Sequence, residues 1–337
     1  MARELSIMIP ARNEMFLKRT VDNILENIEA DTEIIVVLDG DWPDPPIEDN
    51  PRVIIIHYSQ SIGQRAATNV AARMSSAKYV MKVDAHCAFD KGFDRKLIAD
   101  CDYDMIVTPR LYNLHAFDLV CKKCGHRRYQ SPTGKKCEKC EATDWEKDII
   151  WRPRMNCRSD FYRFDKELKF QYWKKYEDRP EAKADIADTM SFLGAAWFCH
   201  RKHLRDLGWL DEKHTSWGQM GTEIACKSWL SGGRLVVNKK TWFSHMFRTQ
   251  GGDFGFPYRI RQRDIDKAHE YSKFLWMGDG NWRGRKKTLQ WILDKFAPIP
   301  DWHEEAPPKR EREPGLPDIV PAALSDAAPE ACEVQNG

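Results

Sequence analysis

The first 84 positions alternate between short, mainly apolar runs and longer amphipathic stretches. The short runs, typical of buried strands, occupy residues 5–9, 33–38, 53–57 and 79–83. The stretch after the first run predicts a helix, because its apolar residues recur on one face: Leu17, Val21, Ile24, Leu25 and Ile28. The alanine-rich residues 63–74 predict a second helix. Strands that alternate with helices indicate an α/β fold with a doubly wound, mostly parallel sheet.

Two of these predicted strands end in a carboxylate. The second run leads to Asp39, and the fourth leads to Asp84. Ligands of doubly wound sheets bind beyond the carboxyl ends of the strands. We therefore expect Asp39 and Asp84 to lie at one binding edge of the sheet.

The pattern changes after residue 120. Up to Cys140 the periodicity is lost and two cysteine pairs replace it, which indicates an insertion. Regular patterns return at residues 186–198, at a predicted helix over 222–230 and at a predicted strand over 234–237.

Four regions are therefore expected along the chain. They are the first half of the α/β domain (1–116), the insertion (117–150), the second half with C-terminal helices (151–298) and an acidic tail (299–337). The tail is rich in Pro, Glu and Ala with few large apolar residues, a composition that favours disorder.

The net charge of +2 hides an uneven distribution of charge, because the body of the chain is basic and the tail is acidic. No run approaches the roughly 20 apolar residues that a bilayer span needs, and no secretory signal is evident. We expect a soluble, cytoplasmic protein with no membrane partner. The sequence does not indicate its oligomeric state.

Four of the ten cysteines have the spacing of a zinc ribbon. They form the pattern Cys121-x2-Cys124-x12-Cys137-x2-Cys140. Reduced thiols around one structural Zn²⁺ fit this pattern better than the disulfide scaffold of a short secreted protein. Four thiolates leave no open coordination position, so no catalysis is expected there. The ribbon either staples a long insertion or presents basic side chains to another molecule.

The segment Asp84-Ala85-His86 is a second candidate metal site. A strand end followed by a tight turn can direct a carboxylate and an imidazole toward one point, where a cation would stabilise developing negative charge. The alternative is an ordinary capping Asp followed by a surface His. The triplet alone does not choose between them.

The surrounding segments do favour the metal site. Val83-Asp84-Ala85-His86-Cys87 closely resembles the Asp-x-His metal motif of the polypeptide N-acetylgalactosaminyltransferases and their family 2 relatives. The later segment 242–248 resembles the family's His-x-Phe-Arg region, with His245 as the third protein ligand. Further matches in the same order include residues 7–14, 63–66, 190–198 and 257–258. The resemblance implies a GT-A fold and a metal-dependent glycosyltransferase.

The resemblance also implies roles for individual residues. Asp84, His86 and His245 would ligate Mn²⁺ or Mg²⁺ against the diphosphate of a UDP-sugar, the donor substrate. Asp39 would bind the uracil or ribose edge, and Arg65 would face the nucleotide. The remaining residues that the motifs assign to the nucleotide-sugar site are Pro10, Arg12, Glu14, Trp217 and Arg248. Residues 1–116 then become the nucleotide-sugar-binding half, and residues 151–298 become the acceptor half.

One segment departs from the family pattern. Where the relatives read Trp-Gly-Gly-Glu-Asn-x-Glu, residues 217–223 replace the first Glu by Met220 and the Asn by Gly221. Glu223 is the only carboxylate left there, so it is the candidate general base for the acceptor hydroxyl. A structural role in the first turn of a helix is an equal alternative. Retention or inversion of stereochemistry stays open.

The acceptor is indicated only by composition. Residues 121–179 combine an excess of Lys and Arg with ten aromatic side chains, a mixture that can neutralise phosphates and stack on bases. Its simpler interpretation is a solvated charged surface over a small core. Three hypotheses follow: transfer to hydroxymethylated pyrimidines in DNA, as in bacteriophage enzymes acting in the host cytoplasm; transfer to a protein, glycan or lipid-linked acceptor; or a non-enzymatic nucleic-acid-binding protein. We favour DNA, and the sugar itself is not indicated.

Overall fold

A computed structural model describes residues 3–131, 134–215, 218–248, 256–278 and 281–302. The strands are β1 (Leu5–Ala11), β2 (Thr32–Asp39), β3 (Val53–Tyr58), β4 (Tyr79–Val83), β5 (Cys87–Phe89), β6 (Met105–Cys121), β7 (Arg127–Tyr129), β8 (Trp145–Ser159), β9 (Tyr162–Phe164), β10 (Phe170–Tyr172), β11 (Ile186–Asp188), β12 (Ala196–His200) and β13 (Arg234–His245). The helices are α1 (Leu17–Asn27), α2 (Gln64–Met74), α3 (Phe93–Ala99), α4 (Arg201–Asp206), α5 (Met220–Leu230), α6 (Gln262–Trp276) and α7 (Leu289–Phe296).

One large sheet organises the molecule, in the strand order β11-β13-β6-β12-β4-β1-β2-β3. The strands β4, β1, β2 and β3 are parallel to one another, as the alternating pattern predicts. Beyond β4 the sheet becomes mixed, because β12 runs antiparallel to both β4 and β6. The α/β class is confirmed. The continuous parallel run of four strands is the N-terminal half of the sheet, and β6 and β13 form a further parallel pair.

The predicted elements of the N-terminal half lie close to the observed ones. The apolar runs form β1 to β4, and the alanine-rich stretch forms α2. α1 buries Leu17, Val21 and Ile24 against this sheet. The apolar residues that recur about every 3.6 positions in the sequence therefore form the packed face of this helix. Continuous apolar strands are expected where helices cover both faces of a sheet.

The expected insertion is continuous with the sheet. β6 extends through residue 117 to Cys121, and β8 returns from Trp145 past residue 150 to Ser159. The two strands pair antiparallel, with irregularities near Asn113 and His115. We call residues 113–159 the β6–β8 arm. Both expected boundaries of the insertion, at 117 and 150, therefore fall inside strands of this arm.

A second apolar cluster holds the arm against the body. It contains Phe16, Ala88, Leu114, Ala116, Phe117, Leu119, Trp151 and Met246. Phe16 stacks on Phe117 with ring centres 5.9 Å apart and lies 5.5 Å from the ring of Trp151. Because Phe16, Ala88 and Met246 come from segments beside β4 and β13, this cluster connects the arm to the carboxyl edge of the sheet.

The helices in the described part of the chain include none that is long and apolar enough to span a membrane.

Candidate metal centre and nucleotide pocket

Three segments bring the predicted metal ligands together. Asp84 follows the end of β4, His86 lies in the turn before β5, and His245 is the last residue of β13. β13 pairs antiparallel with β5, which places His245 opposite Cys87, and the Met246 N–H donates to the His86 carbonyl at 3.1 Å. The strand register therefore fixes a histidine from the second half of the chain beside a motif from the first.

The donor atoms have the spacing of a coordination shell. His86 Nε2 lies 3.0 Å from His245 Nε2, which lies 3.2 Å from Asp84 Oδ2. Neighbouring ligands at about 2.1 Å from one octahedral cation are about 3 Å apart. The two imidazoles and the carboxylate therefore fit a small divalent cation, with the remaining positions open to water or phosphate oxygens.

The electrostatics of the centre also suit a cation. Burial alone would raise the pKa of Asp84, but Lys82 and the two imidazoles hold that pKa far below its usual range. Burial lowers the pKa of His245 to about 4, although Asp84 opposes this shift. At neutral pH the centre therefore presents an anionic carboxylate and a neutral His245, the protonation states that metal ligation needs.

Lys82 is a member of the centre that the sequence analysis missed. Its side chain is buried, and its ammonium donates to Asp84 Oδ1 and to the Gly194 carbonyl at 3.1 Å. Oδ1 is thereby occupied, while Oδ2 faces the imidazoles. The sequence signal that could have identified Lys82 is its position as the one charged residue in the otherwise apolar strand β4.

Glu14 supports His86 from behind. Its Oε2 lies 3.0 Å from His86 Nδ1 and also accepts from Arg248 Nη2. Burial would raise the pKa of Glu14, but His86 and Arg248 lower it, so the carboxylate is anionic. A carboxylate that holds the distal nitrogen of a histidine fixes the ring so that Nε2 faces the metal. The structure therefore places Glu14 and Arg248 behind His86, and their part in the nucleotide-sugar site stays a prediction.

The other predicted donor-site residues occupy distinct positions. Pro10 lies within β1 opposite Val37 of β2. The Arg12 guanidinium lies 4.7 Å from the ring centre of Tyr258, and burial raises the pKa of that tyrosine to about 12. Trp217 lies outside the described residues.

Asp39 organises the loop that precedes α2. Its Oδ1 accepts from the Ile62 N–H at 2.5 Å, and its Oδ2 accepts from Ser61 Oγ at 2.8 Å and the Gly63 N–H at 3.1 Å. Beside this loop is a pocket of about 240 Å³, lined by Ser61, Ile62, Gly63, Arg65, Ala66, Glu212 and Thr215. Asp39 therefore shapes the pocket through the backbone of its wall.

Arg65 and Glu223 form a buried ion cluster. Arg65 Nε donates to Glu223 Oε2 at 2.8 Å, and Lys227 Nζ donates to Glu223 Oε1 at 2.9 Å. The Asp211 N–H donates to the same Oε1 at 2.6 Å. Burial would raise the pKa of Glu223, but Lys227, Arg65 and His214 lower it to about 2. A fully buried, strongly stabilised carboxylate is a weak base, so this geometry favours the structural alternative for Glu223.

The departure at Gly221 has a packing reason. A Cβ at this position would lie 2.0 Å from the Phe192 carbonyl oxygen, so the first turn of α5 approaches residues 192–194 too closely for a side chain. Gly194, on the other side of this contact, has φ +85° and also accepts from Lys82. The asparagine of the relatives would not fit here.

The four ribbon cysteines converge at the tip of the β6–β8 arm. The Sγ atoms of Cys121 and Cys140, and those of Cys124 and Cys137, are 3.5 Å apart, and all four lie within 4.8 Å of one another. The sulfurs of a tetrahedral zinc site with Zn–S bonds of about 2.3 Å are about 3.8 Å apart. Donor set and spacing therefore fit Zn²⁺.

Both arginines of the ribbon are paired with carboxylates. Arg127 Nε lies 3.0 Å from Asp118 Oδ2, and Arg128 Nε lies 2.8 Å from Glu138 Oε2. The Arg128 guanidinium also covers the Trp145 ring, at 4.5 Å from its centre. The basic composition of this region therefore overstates its free positive charge.

The chain is similar in sequence to known glycosyltransferases. The profile of the family described as Glycosyl transferase family 2 matches residues 6–114. Putative polypeptide N-acetylgalactosaminyltransferase 13 of Drosophila melanogaster is 22% identical over 285 residues, which cover 79% of this chain and 45% of that protein. Polypeptide N-acetylgalactosaminyltransferase 10 of Homo sapiens is 24% identical over 272 residues, covering 76% of this chain and 39% of that protein.

The fold is similar to that of a solved structure of GalNAc-T7 with UDP, GalNAc and Mn²⁺. The TM-score is 0.58 at 15% identity, over 82% of this chain and 49% of that chain. The predicted GT-A fold is thereby confirmed. The chain spans about half the length of these relatives or less.

Proposed function

We propose that this protein transfers a sugar from a UDP-sugar to a hydroxyl group with the help of a divalent cation. The match of residues 6–114 to the profile described as Glycosyl transferase family 2 supports sugar transfer. The observation that carries the proposal is the convergence of Asp84 Oδ2 and the Nε2 atoms of His86 and His245 at octahedral spacing. A bound Mn²⁺ or Mg²⁺ would supply positive charge to the diphosphate leaving group. Asp84, His86 and His245 would hold the ion, Glu14 would orient His86, and Lys82 would fix Asp84.

The nucleotide is assigned to the pocket beside α2. Arg65 lines this pocket, and its Nη1 is a buried donor without a hydrogen-bond partner among the described residues. An unpaired buried donor is costly, and a carbonyl or phosphate oxygen of a nucleotide would satisfy it. Asp39 acts indirectly, by holding the loop of residues 61–63. UDP is proposed as the nucleotide because the GalNAc-T7 structure, by its description, contains UDP.

The cysteine cluster is proposed to bind one structural Zn²⁺. A closed thiolate site contributes folding free energy directly, because the metal binds the folded arm in preference to the unfolded chain. Metal analysis of freshly purified, reduced protein should find one zinc per chain. Cys140→Ser should lose the zinc and unfold the arm while the central sheet keeps its hydrogen-exchange protection.

For the acceptor we propose hydroxymethylated pyrimidines in DNA. The basic and aromatic side chains of the β6–β8 arm, two strands away from His245, support this choice. A polypeptide acceptor is the second candidate, and the names of the two curated relatives favour it. Because Glu223 is buried, we propose that it supports the acceptor side of the site and that another group accepts the hydroxyl proton.

The proposal is tested by mass spectrometry of two acceptor types after incubation with Mn²⁺ and a panel of UDP-sugars. Hydroxymethylated single-stranded DNA is digested to nucleosides, and a Ser/Thr-rich peptide library is analysed intact. A mass increase of one hexose or N-acetylhexosamine on the nucleoside supports the DNA acceptor, whereas an increase on peptide alone supports the second candidate. Absence of both transfer and UDP-sugar hydrolysis with every donor would contradict the enzyme.

A further inference from the structure

We propose that one face of the β6–β8 arm binds single-stranded nucleic acid and leads it to the metal centre. This face, the acceptor strip, consists of Asn113, His115, Tyr129, Arg152 and Arg154. The inference deepens the proposed function and rests on it for the destination of the bound strand. It assigns residues to acceptor binding within a region that the sequence marks only by composition.

The strip is continuous with the metal centre through the strand register. His245 of β13 pairs with Asn113 of β6, and Asn113 pairs with Arg154 of β8. Directly paired residues project to the same face of a sheet, so these side chains share the face of the metal centre. Two strand spacings separate Arg154 from His245, a distance of about 10 Å. That is within the reach of one or two nucleotides of a bound strand.

The two faces of β6 differ sharply in this region. Leu114, Ala116, Phe117 and Leu119 are buried in the second apolar cluster. Asn113 and His115 are half-exposed on the opposite face, where His115 pairs with Arg152. The strip therefore has a rigid apolar support beneath it, and its polar side chains face outward.

The arginines of the strip are the ones that the arm leaves without a carboxylate. Arg127 and Arg128, in the same arm, are held by Asp118, Asp148 and Glu138. Among the described residues, neither Arg152 nor Arg154 makes an ion pair.

Arg154 instead lies over an aromatic ring. Its guanidinium is 4.8 Å from the ring centre of Tyr129, and His115 meets the same ring edge-on at 4.7 Å. The tyrosine ring is 42% exposed. An accessible ring thus lies directly beside the Arg154 guanidinium, which makes no ion pair among the described residues.

This combination selects for nucleic acid. A guanidinium binds a phosphate through two parallel hydrogen bonds, and an exposed aromatic ring stacks on an unpaired base. A polypeptide acceptor supplies neither the repeated phosphates nor the bases. Because the strip lies on the metal-centre face, a strand on it can present a base hydroxyl to the donor only outside a duplex stack.

The test measures fluorescence anisotropy of a labelled single-stranded DNA of about 12 nucleotides, within the usual site size of such proteins. In the full-length protein, Arg152→Gln with Arg154→Gln should weaken binding at least about tenfold at low salt. Loss of two phosphate contacts should also reduce the slope of log K against log salt by about 1.4. Tyr129→Ala should weaken binding with little change in slope, because stacking releases no counterions.

A matched control removes the same charge from the same arm. Arg127→Gln with Arg128→Gln should weaken binding much less, because those guanidinium groups are already committed to carboxylates. If both double variants weaken DNA binding equally, the attraction is general and electrostatic, and the assignment of the strip as the binding site is wrong. Binding that is unchanged by the Arg152 and Arg154 variants would also overturn it. Zinc content of each variant verifies that the arm is folded.

Metal-dependent hydrolysis of UDP-sugar, measured on the same proteins, separates the two proposals. If DNA binding depends on the strip but no protein hydrolyses or transfers any UDP-sugar, the enzyme proposal fails and the strip stands. If hydrolysis persists and DNA binding does not depend on the strip, only the inference about the strip fails.

Discussion

Asp84 at the end of β4 and Glu223 in the first turn of α5 are both carboxylates surrounded by cations, yet their oxygens are used differently. Asp84 gives Oδ1 to Lys82 and leaves Oδ2 facing two imidazoles. Glu223 gives both oxygens to Arg65, Lys227 and a backbone N–H. One carboxylate therefore keeps a free coordinating oxygen, and the other is fully committed to holding the protein together.

The comparison explains why a motif alone does not assign a catalytic role. A carboxylate that acts on a ligand needs an oxygen that the protein has not already neutralised. Asp84 meets this condition because its strand ends at the edge of the sheet, where the side chain is 20% exposed. Glu223 does not, because α5 packs against β13, α6 and α7 with its first turn buried.

The largest expected effect is the loss of turnover when Asp84, the carboxylate with a free oxygen, is changed. Asp84→Asn should lower metal-dependent turnover by at least about a thousandfold, because the amide no longer offers an anionic ligand to the cation. The protein should be less stable, because buried Lys82 loses its counter-charge, but it should still fold, which thermal unfolding in EDTA can verify. The control is Asp41→Asn, an exposed residue near the same edge. Turnover within tenfold of the unaltered enzyme would contradict the metal assignment.

The second prediction concerns Glu223, whose two oxygens are both hydrogen-bonded within the protein. Glu223→Gln should lower the free energy of unfolding by about 3–5 kcal/mol, because Arg65 and Lys227 would remain buried without a counter-charge. Urea unfolding measures this change, with the exposed Glu181→Gln as control. In the folded fraction, turnover should fall by less than about tenfold. A hundredfold loss of turnover with unchanged stability would instead identify Glu223 as the base.

The sequence predicted the surroundings of Asp84 better than those of Glu223, for a physical reason. Strands β1 to β4 and helix α2 follow local periodicity, and Asp84 and His86 are close in sequence, so their shared direction follows from one turn. His245 could be predicted as a ligand only from the family resemblance, because its position beside His86 depends on the pairing of β13 with β5.

Contacts between distant segments had no local signature. Glu14 reaches His86 across 72 positions, and Arg65 reaches Glu223 across 158. Residue type alone could not distinguish a donor ligand from a group that holds a neighbouring side chain. The same limit applies to the arm, whose composition is basic although many of its charges are paired.

The third prediction uses the histidine beside Glu223. Burial lowers the pKa of His214 to about 4, with Glu223 opposing the shift. The unfolded chain, with an ordinary histidine pKa, takes up the proton first, so His214 stabilises the fold fully above about pH 6.5 and this contribution is lost as the pH falls toward 4. The expected loss is about 3 kcal/mol, an order-of-magnitude value.

Urea unfolding between pH 4.5 and 7 checks this dependence. His214→Asn should flatten the dependence of the unfolding free energy on pH over this window, and His269→Asn, at a half-exposed surface histidine, should leave that dependence unchanged. The comparison of variants removes the contribution of the metal-centre histidines, because it is common to all three proteins. If His214→Asn leaves the dependence of the unfolding free energy on pH unchanged, His214 is not the group responsible for it.

The smallest expected effect is at Lys82, which connects the two regions by binding both Asp84 and the segment packed on α5. Lys82→Met keeps the length of the buried side chain but removes the donor that fixes Asp84 Oδ1. Loss of such a supporting contact typically weakens metal binding about tenfold, and the Mn²⁺ dissociation constant should rise by that factor. Titration calorimetry measures it directly, with the exposed Lys91→Met as control. Unchanged or tighter Mn²⁺ binding would show that the ammonium only compensates charge in the metal-free protein, and that the strand ends alone position Asp84.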